Sequence, residues 1–168
     1  MPNDVFRAID ATLVLGVEDA SLPEGTVADA LVSEYDLSNT VGRLHQVSVS
    51  VLSDVKPYYE IGRRYPTHLR PGVVRVSGSA ERAHVNGALL RLLLGEGALS
   101  PPGASNFVQP AFNIVASLQD PARPEQMTRL TVFGTKFDRW DYRVATAEDS
   151  FVMEQVTFQA LRIAFEES

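Results

Sequence analysis

The segment that decides the fold is the last one in the chain, from Ser150 to Phe165, and it reads SFVMEQVTFQALRIAF. Apolar and polar residues alternate up to Ala160, which is the period of a half-buried strand. Beyond Ala160 the alternation shifts by one residue, as it does at a β-bulge. At about 3.3 Å per residue the segment would span about 50 Å, far more than a strand of five or six residues. We therefore expect a strand that either bends around a barrel or extends beyond its own domain.

The same alternation recurs in earlier segments, each of which predicts a strand. They lie at about residues 46–51, 73–79, 110–117, 126–135 and 139–144. The expected fold is mainly β. One domain covers the whole chain, residues 1–168, and no linker divides it.

One helix is predicted beside the strands, from about Ala83 to Leu94, where apolar residues recur at helical spacing. Asn86 is a candidate N-cap if the helix starts late, and Gly95 stands where a C-terminal cap belongs. A leucine-rich helix of this kind packs on a sheet.

One segment is predicted to be a loop, and a second is predicted to form strand ends or loops. Residues 21–43 are acidic and contain several turn-forming residues, and residues 53–72 are rich in proline and glycine. Loops of this length in a small domain usually bind something or belong to an interface. Residues 1–43 are accordingly expected to act as an arm and loop between subunits.

Composition excludes several classes of protein. The chain has 168 residues, a net charge of -6 and no cysteine. The charge disfavours a general nucleic-acid binder, and the lack of cysteine excludes disulfides, thiolate metal sites and a cysteine nucleophile. The longest apolar run, from Ala88 to Leu94, is broken by Arg91 and is shorter than the roughly 18 residues of a membrane helix. No membrane partner is expected.

The charges are unevenly distributed along the chain. Residues 1–40 contain eight acidic residues and a single arginine, whereas residues 41–91 contain eight basic residues and three acidic ones. The acidic and the basic segment could neutralise each other within one fold, or they could meet between copies in a head-to-tail contact.

No catalytic or metal-binding pattern is present in the sequence. The three histidines, His45, His68 and His84, lack metal-ligand spacing. Ser77-Gly78-Ser79 lacks the first glycine of a nucleophile elbow, and Gly134-Thr135-Lys136 lacks the frame of a phosphate-binding loop. We expect no enzyme activity, no cofactor and no metal.

A basic and aromatic cluster follows the first of the strands that carry this alternation. Such a mixture stacks on single-stranded nucleic acid or forms a protein interface, and the acidic chain favours the interface. The residues of the cluster are Tyr58, Tyr59, Arg63, Arg64, Tyr65 and Arg70.

The order of elements, with its long closing strand, resembles the tail tube proteins of bacteriophages and related contractile injection systems. The segments that carry the resemblance are Tyr59-Glu60-Ile61-Gly62-Arg63-Arg64, Leu69-Arg70-Pro71-Gly72, the run from Val74 to Gly95, and the terminal strand from Phe151 to Phe158. The resemblance covers most of the chain from about residue 44 onward.

The resemblance implies two antiparallel sheets or a barrel with one flanking α-helix. It implies homo-hexameric rings whose inner sheets join into one β-barrel around a lumen. The rings would stack head to tail into the tail tube of a virion, assembled in the host cytoplasm. DNA or another payload would pass through without specific binding, and the partners would be sheath, baseplate and tail terminator proteins.

Specific residues acquire roles under this resemblance. The basic and aromatic cluster, with Phe151 and Met153, is expected at subunit interfaces. Asp138, Asp141 and Glu154 are expected to face the lumen, where carboxylates would repel DNA phosphates. Two alternatives stay open: a tube terminator or baseplate tube-initiator on the same fold, and a β-barrel binding module.

Overall fold

A computed structural model describes residues 11–17, 19–37, 44–98, 108–120, 122–146 and 151–167. The expected arm and loop at residues 1–43 therefore lies partly outside the described residues, namely at 1–10, 18 and 38–43.

Strands dominate the described chain, which confirms the mainly β fold. They are β1 (Ala11–Gly16), β2 (Leu44–Ser53), β3 (Lys56–Tyr58), β4 (His68–Arg70), β5 (Val74–Ala83), β6 (Phe112–Asp120), β7 (Arg123–Arg143), β8 (Met153–Ala160) and β9 (Arg162–Glu167). All neighbouring strands are antiparallel.

The strands form two sheets that share β7. The first sheet contains β1, β6, the first part of β7, and β9; the second contains the last part of β7, β8, β5 and β2. The described strands do not close into a barrel, because β1 and β2 lie at opposite ends of the strand order. A separate two-stranded hairpin, β3 and β4, extends the turn between β2 and β5.

The long strand β7 and the closing segment formed by β8 and β9 bend at the same place, where the first sheet meets the second. Gly134 of β7 has a positive φ of 62°, which favours glycine, and a Cβ there would lie 2.6 Å from the Leu161 side chain. Leu161 separates β8 from β9, and its backbone N–H donates to the Phe133 carbonyl at 2.9 Å. The predicted one-residue shift after Ala160 is therefore confirmed, and the closing strand bends with the sheets.

In the described part of the chain two α-helices and a short 3-10 helix (Gly95–Ala98) flank the sheets, where one helix was predicted. The first, α1 (Pro23–Glu34), lies in the segment that was expected to be a loop, so that expectation was wrong. Its buried face consists partly of Gly25 and Ala28, which give almost no apolar signal in the sequence. Pro23 occupies the first helical turn, where its missing N–H costs no hydrogen bond.

The predicted helix is α2 (Ala88–Leu94), shorter at its start because β5 continues to Ala83. Asn86 accepts a hydrogen bond from the Ala88 N–H at 3.2 Å, one residue before the N-cap Gly87. Gly95 is the C-cap, with a φ of 60°. Arg91 joins the two helices through a 2.7 Å ion pair with Glu34.

One hydrophobic core lies between the sheets and the helices. The first sheet contributes Ile114 and Val132, the second contributes Val156 and Phe158, and the helices contribute residues such as Leu89. The inner face of the second sheet is buried in this core, whereas the side chains on its other face are exposed or partly exposed.

Candidate assembly surfaces

The outer face of the second sheet is polar across all four strands. Alternation sends Val76, Val156 and Phe158 into the core, and their neighbours point outward. We call the outward side chains the polar face. Its residues are Gln46, Ser48, Ser50 and Leu52 of β2, Arg75, Ser77, Ser79 and Glu81 of β5, Met153, Gln155, Thr157 and Gln159 of β8, and Asp138, Arg139, Asp141 and Arg143 of β7.

Hydrogen bonds across the strands order this polar face. The hydroxyls of Ser48 and Ser79 lie 3.2 Å apart. Gln159 donates to Asp138 at 3.0 Å, and the Thr157 hydroxyl donates to the same carboxylate. These donors, above all Thr157, lower the pKa of Asp138 from its ordinary value of 3.8, so the group is ionised at neutral pH.

The two candidate lumen acids on β7 both lie on the polar face. Asp138 is exposed beside a local shift in the pairing of β7 with β8. Asp141 is partly exposed and forms a 2.9 Å ion pair with Arg139, two residues away on the same face. The structure thus brings both carboxylates to one surface and places an arginine beside one of them.

Glu154 lies on the opposite side of β8 and is fully buried. Arg82 donates to it at 2.6 Å, the Trp140 indole N–H donates at 3.1 Å, and His84 Nδ1 lies 3.3 Å away. A carboxylate enclosed by these donors cannot face a channel, so the expectation that Glu154 faces the lumen was wrong. Glu154 shares its parity along β8 with the buried Val156 and Phe158, and this alternation in the sequence indicated burial.

The second sheet has an open strand at each edge in the described part of the chain. The strand β2 pairs only with β5, and residues 136–143 of β7 pair only with β8. An open edge presents backbone N–H and C=O groups that can pair with another strand.

The basic and aromatic cluster lies on a projecting hairpin, residues 54–73, which we call the arm. It contains β3 and β4, and every one of its residues is exposed. At its tip the Arg63 N–H donates to the Glu60 carbonyl, and Gly62 adopts a φ of 82° that suits a type II turn. Six of the predicted interface residues are brought together here, from Tyr58 to Arg70.

The base of the arm is tightly built. A Cβ on Gly72 would lie 2.0 Å from the carbonyl oxygen of Asp54, so only glycine allows the two chains to approach this closely. The Asp54 N–H donates to the Val73 carbonyl at 3.0 Å. The arm therefore leaves the second sheet at a defined position.

The other two interface candidates lie at the opposite end of the second sheet. Met153 pairs with Ala83, whereas the end near the arm is marked by Val76 opposite Ala160. Seven residues of β5 separate the two ends, about 23 Å. Phe151 belongs to an exposed apolar group that we call the end patch: Val85, Tyr142, Val144 and Phe151.

A groove crosses β7 at its bend and was not anticipated from the sequence. Its volume is about 460 Å³, and its lining includes Asp19 and Leu22, Glu24 of α1, Gly134 and Leu161. Lys136 reaches Glu24 across 3.0 Å beside it. No local pattern in the sequence indicates the groove, because it forms only where α1 meets the bend.

Within the described residues no group of three or more histidine, aspartate or glutamate side chains could hold a metal ion. None of the helices in the described ranges is long and apolar enough to span a membrane.

No protein-family model and no curated protein sequence matches the chain. Solved structures do match over nearly the whole chain. The sheath/tube terminator of an extracellular contractile injection system aligns with a TM-score of 0.65 at 11% identity, covering 98% of each chain. The tube-terminating cap of the anti-feeding prophage aligns with a TM-score of 0.66 at 11% identity, covering 100% of this chain and 95% of the cap.

The tail tube of SPP1 aligns with a TM-score of 0.55 at 11% identity, over 98% of this chain and 80% of the tube protein. At this level of identity the likeness establishes the fold. The fold is that of tail tube proteins and tube terminators, which confirms the resemblance at that level.

Proposed function

We propose that this chain is a structural subunit of the tube of a phage tail or a related injection system. The observation that carries the proposal is the second sheet, whose two open edges flank an uncovered polar face. The structural neighbours, named as tube, cap and terminator components, support the same role.

Copies related by rotation would join through these edges. Rotation about an axis keeps the direction of every strand along that axis, and the strands of the second sheet alternate in direction from β7 to β2. The β2 of one copy would therefore meet the β7 of the next as an antiparallel pair. Six copies, the number implied by the resemblance, would close the sheets into one barrel and leave no edge open.

The polar face would then line the channel. Its hydroxyl and amide side chains offer little apolar surface to a passing cargo, and Asp138 and Asp141 would repel DNA phosphates. The ion pair between Arg139 and Asp141 restrains one of the arginines that could bind the backbone of DNA. The channel would conduct DNA or another payload.

Stacking of rings would use the two ends of the second sheet. The end patch lies at the end of the second sheet opposite to the arm, and it exposes apolar side chains that the facing end of the next ring would cover. Contacts between two different surfaces generate an open stack when no rotation closes them. Sheath, baseplate and terminator proteins are the partners that such a tube requires.

A tube terminator on the same fold is the second candidate. The two terminator structures align with higher TM-scores than the SPP1 tail tube. A terminator would form a single ring, whereas a tube subunit would polymerise.

Negative-stain electron microscopy of the purified protein, over a range of protein and salt concentrations, tests the proposal. Tubes with an open channel and six-fold symmetry are the expected result, and isolated rings would favour the terminator. Monomers under every condition would overturn both roles.

A further inference from the structure

The groove at the bend of β7 offers an apolar and acidic surface. Leu22 and Leu161 line the groove, and 54% and 84% of their surfaces are exposed. Asp19 adds a carboxylate whose pKa is lowered by hydrogen bonds from Ser21, so it is charged at neutral pH. Exposed leucines beside a carboxylate are typical of a surface that another protein covers.

The arm has the complementary character. It carries four basic residues against two acidic ones, together with tyrosines and Ile61, which is fully exposed. Tyrosine and arginine are, with tryptophan, the residues enriched among those that contribute most to binding at protein interfaces. The arm and the groove therefore carry opposite charges, and each exposes apolar side chains that the other could cover.

The arm cannot reach the groove of its own copy without leaving its observed position. The arm continues β2 and the groove crosses β7, and β5 and β8 lie between them in the second sheet. At about 4.8 Å between neighbouring strands, β2 and β7 are about 14 Å apart. In the structure every residue of the arm is exposed.

Pairing of β2 with the β7 of a neighbouring copy would bring the two surfaces together. The strand β2 runs toward the arm, and this end of the sheet is also the end where β7 bends at Gly134. The open edge of β7 begins at Lys136, two residues beyond the bend and beside the groove. An arm that leaves β2 at this level emerges next to the groove of the neighbour.

We propose that the arm of one copy docks in the groove at the β7 bend of the neighbouring copy in the same ring. This inference rests on the proposed ring-forming function and adds a specific lateral contact to it. The contact would cover Leu22 and Leu161 and would place the arginines of the arm near Asp19 and Glu24.

Site-directed cross-linking tests the contact, and the chain is well suited to it because it contains no cysteine. One cysteine replaces an arm residue, in separate variants Tyr59→Cys, Ile61→Cys and Tyr65→Cys. Each is combined with Leu22→Cys in the groove or, as the matched control, with Val144→Cys in the end patch. All five positions are exposed by more than half, so the substitutions should not disturb folding.

Oxidation of assembled particles should give a ladder of covalent oligomers up to six copies for the Leu22 combinations, since a disulfide requires Cα atoms within about 7 Å. Arg63→Glu with Arg64→Glu should abolish that ladder. Arg123→Glu with Arg129→Glu, which changes the net charge equally on the first sheet, should leave it intact.

Three other results would overturn the inference. Rings or tubes that assemble but give no ladder with Leu22 would refute the lateral contact and leave the proposed function standing. A ladder with Val144 alone would assign the arm to stacking between rings. If electron microscopy shows only monomers of the unmodified protein, both the proposed function and this contact are overturned.

Discussion

The guanidinium of Arg82 donates through Nε to the carboxylate of Glu154 across 2.6 Å, and both side chains are almost completely buried. Arg82 lies on β5 and Glu154 on β8, so the pair links two neighbouring strands below the polar face. Arg82 also donates to the backbone and side chain of Asn86, which in turn accepts from the first residue of α2. The pair therefore couples the second sheet to the start of a helix.

Glu154→Gln should lower the free energy of unfolding by about 3–5 kcal/mol, because it leaves the buried Arg82 charge without its counterion. Urea unfolding followed by circular dichroism measures the loss. Asp141→Asn, on the exposed face of β7, is the matched control and should change stability by less than about 1 kcal/mol. An equal effect of the two substitutions would show that the buried pair contributes no more than a surface carboxylate.

Gly78→Ala should destabilise the fold by about 1–3 kcal/mol through overpacking. A Cβ at Gly78 would lie 2.4 Å from the ring of Phe158 and 2.2 Å from the carbonyl of Ser48, and neither can move freely. Thermal unfolding measures the change, with Gly16→Ala on β1 as the control, since a Cβ there meets no atom within 4 Å. A neutral effect at Gly78 would mean that Phe158 can repack.

Gly134→Ala should destabilise the bend shared by the two sheets. The positive φ costs an alanine about 1–2 kcal/mol, and its methyl group would also push against Leu161. The double variant with Leu161→Ala should recover the steric part of the loss and retain the backbone part. Chemical unfolding of Gly134→Ala, Leu161→Ala and the double variant separates the two contributions, and full recovery would refute the backbone contribution.

Asp138→Asn should destabilise the protein in a pH-dependent way. The pKa of Asp138 is lower in the folded state than its ordinary value of 3.8, so its stabilisation is present above that value and disappears as the pH falls through the folded pKa. The stability difference from the unmodified protein should therefore be larger at neutral pH than in strong acid. Urea midpoints across this range measure it, with Asp29→Asn on α1 as the control; a difference that does not vary with pH would contradict the assignment.

Replacement of residues 54–73 by Asn-Gly should keep the fold and abolish assembly. Ser53 and Val74 are paired directly, so a two-residue turn can close β2 onto β5. Because the removed residues are all exposed, the midpoint of thermal unfolding should change little. Electron microscopy and light scattering report assembly, and rings or tubes formed by the shortened chain would show that the arm is dispensable.

The sequence by itself determined the longer strands β2 and β5 to β9 and the position of the bulge, but it did not indicate β1, β3 or β4. Alternation with a period of two is a local property, because successive side chains of a strand point to opposite faces wherever the strand lies. This is why the shift after Ala160 could be read directly and why it appears in the structure as the break at Leu161. The end of α2 at Gly95 was readable for a similar reason, since the cap acts within a single turn.

Only the tertiary structure decided which surfaces are buried and which are free. The helix α1 packs with Gly25 and Ala28, whose small side chains carry no periodic apolar signal. Glu154 is buried because Arg82, 72 positions away in the chain, neutralises it. The open edges of the second sheet and the groove at Gly134 arise from how β7 is shared between two sheets, and pairing between distant segments leaves no local pattern from which they could be predicted.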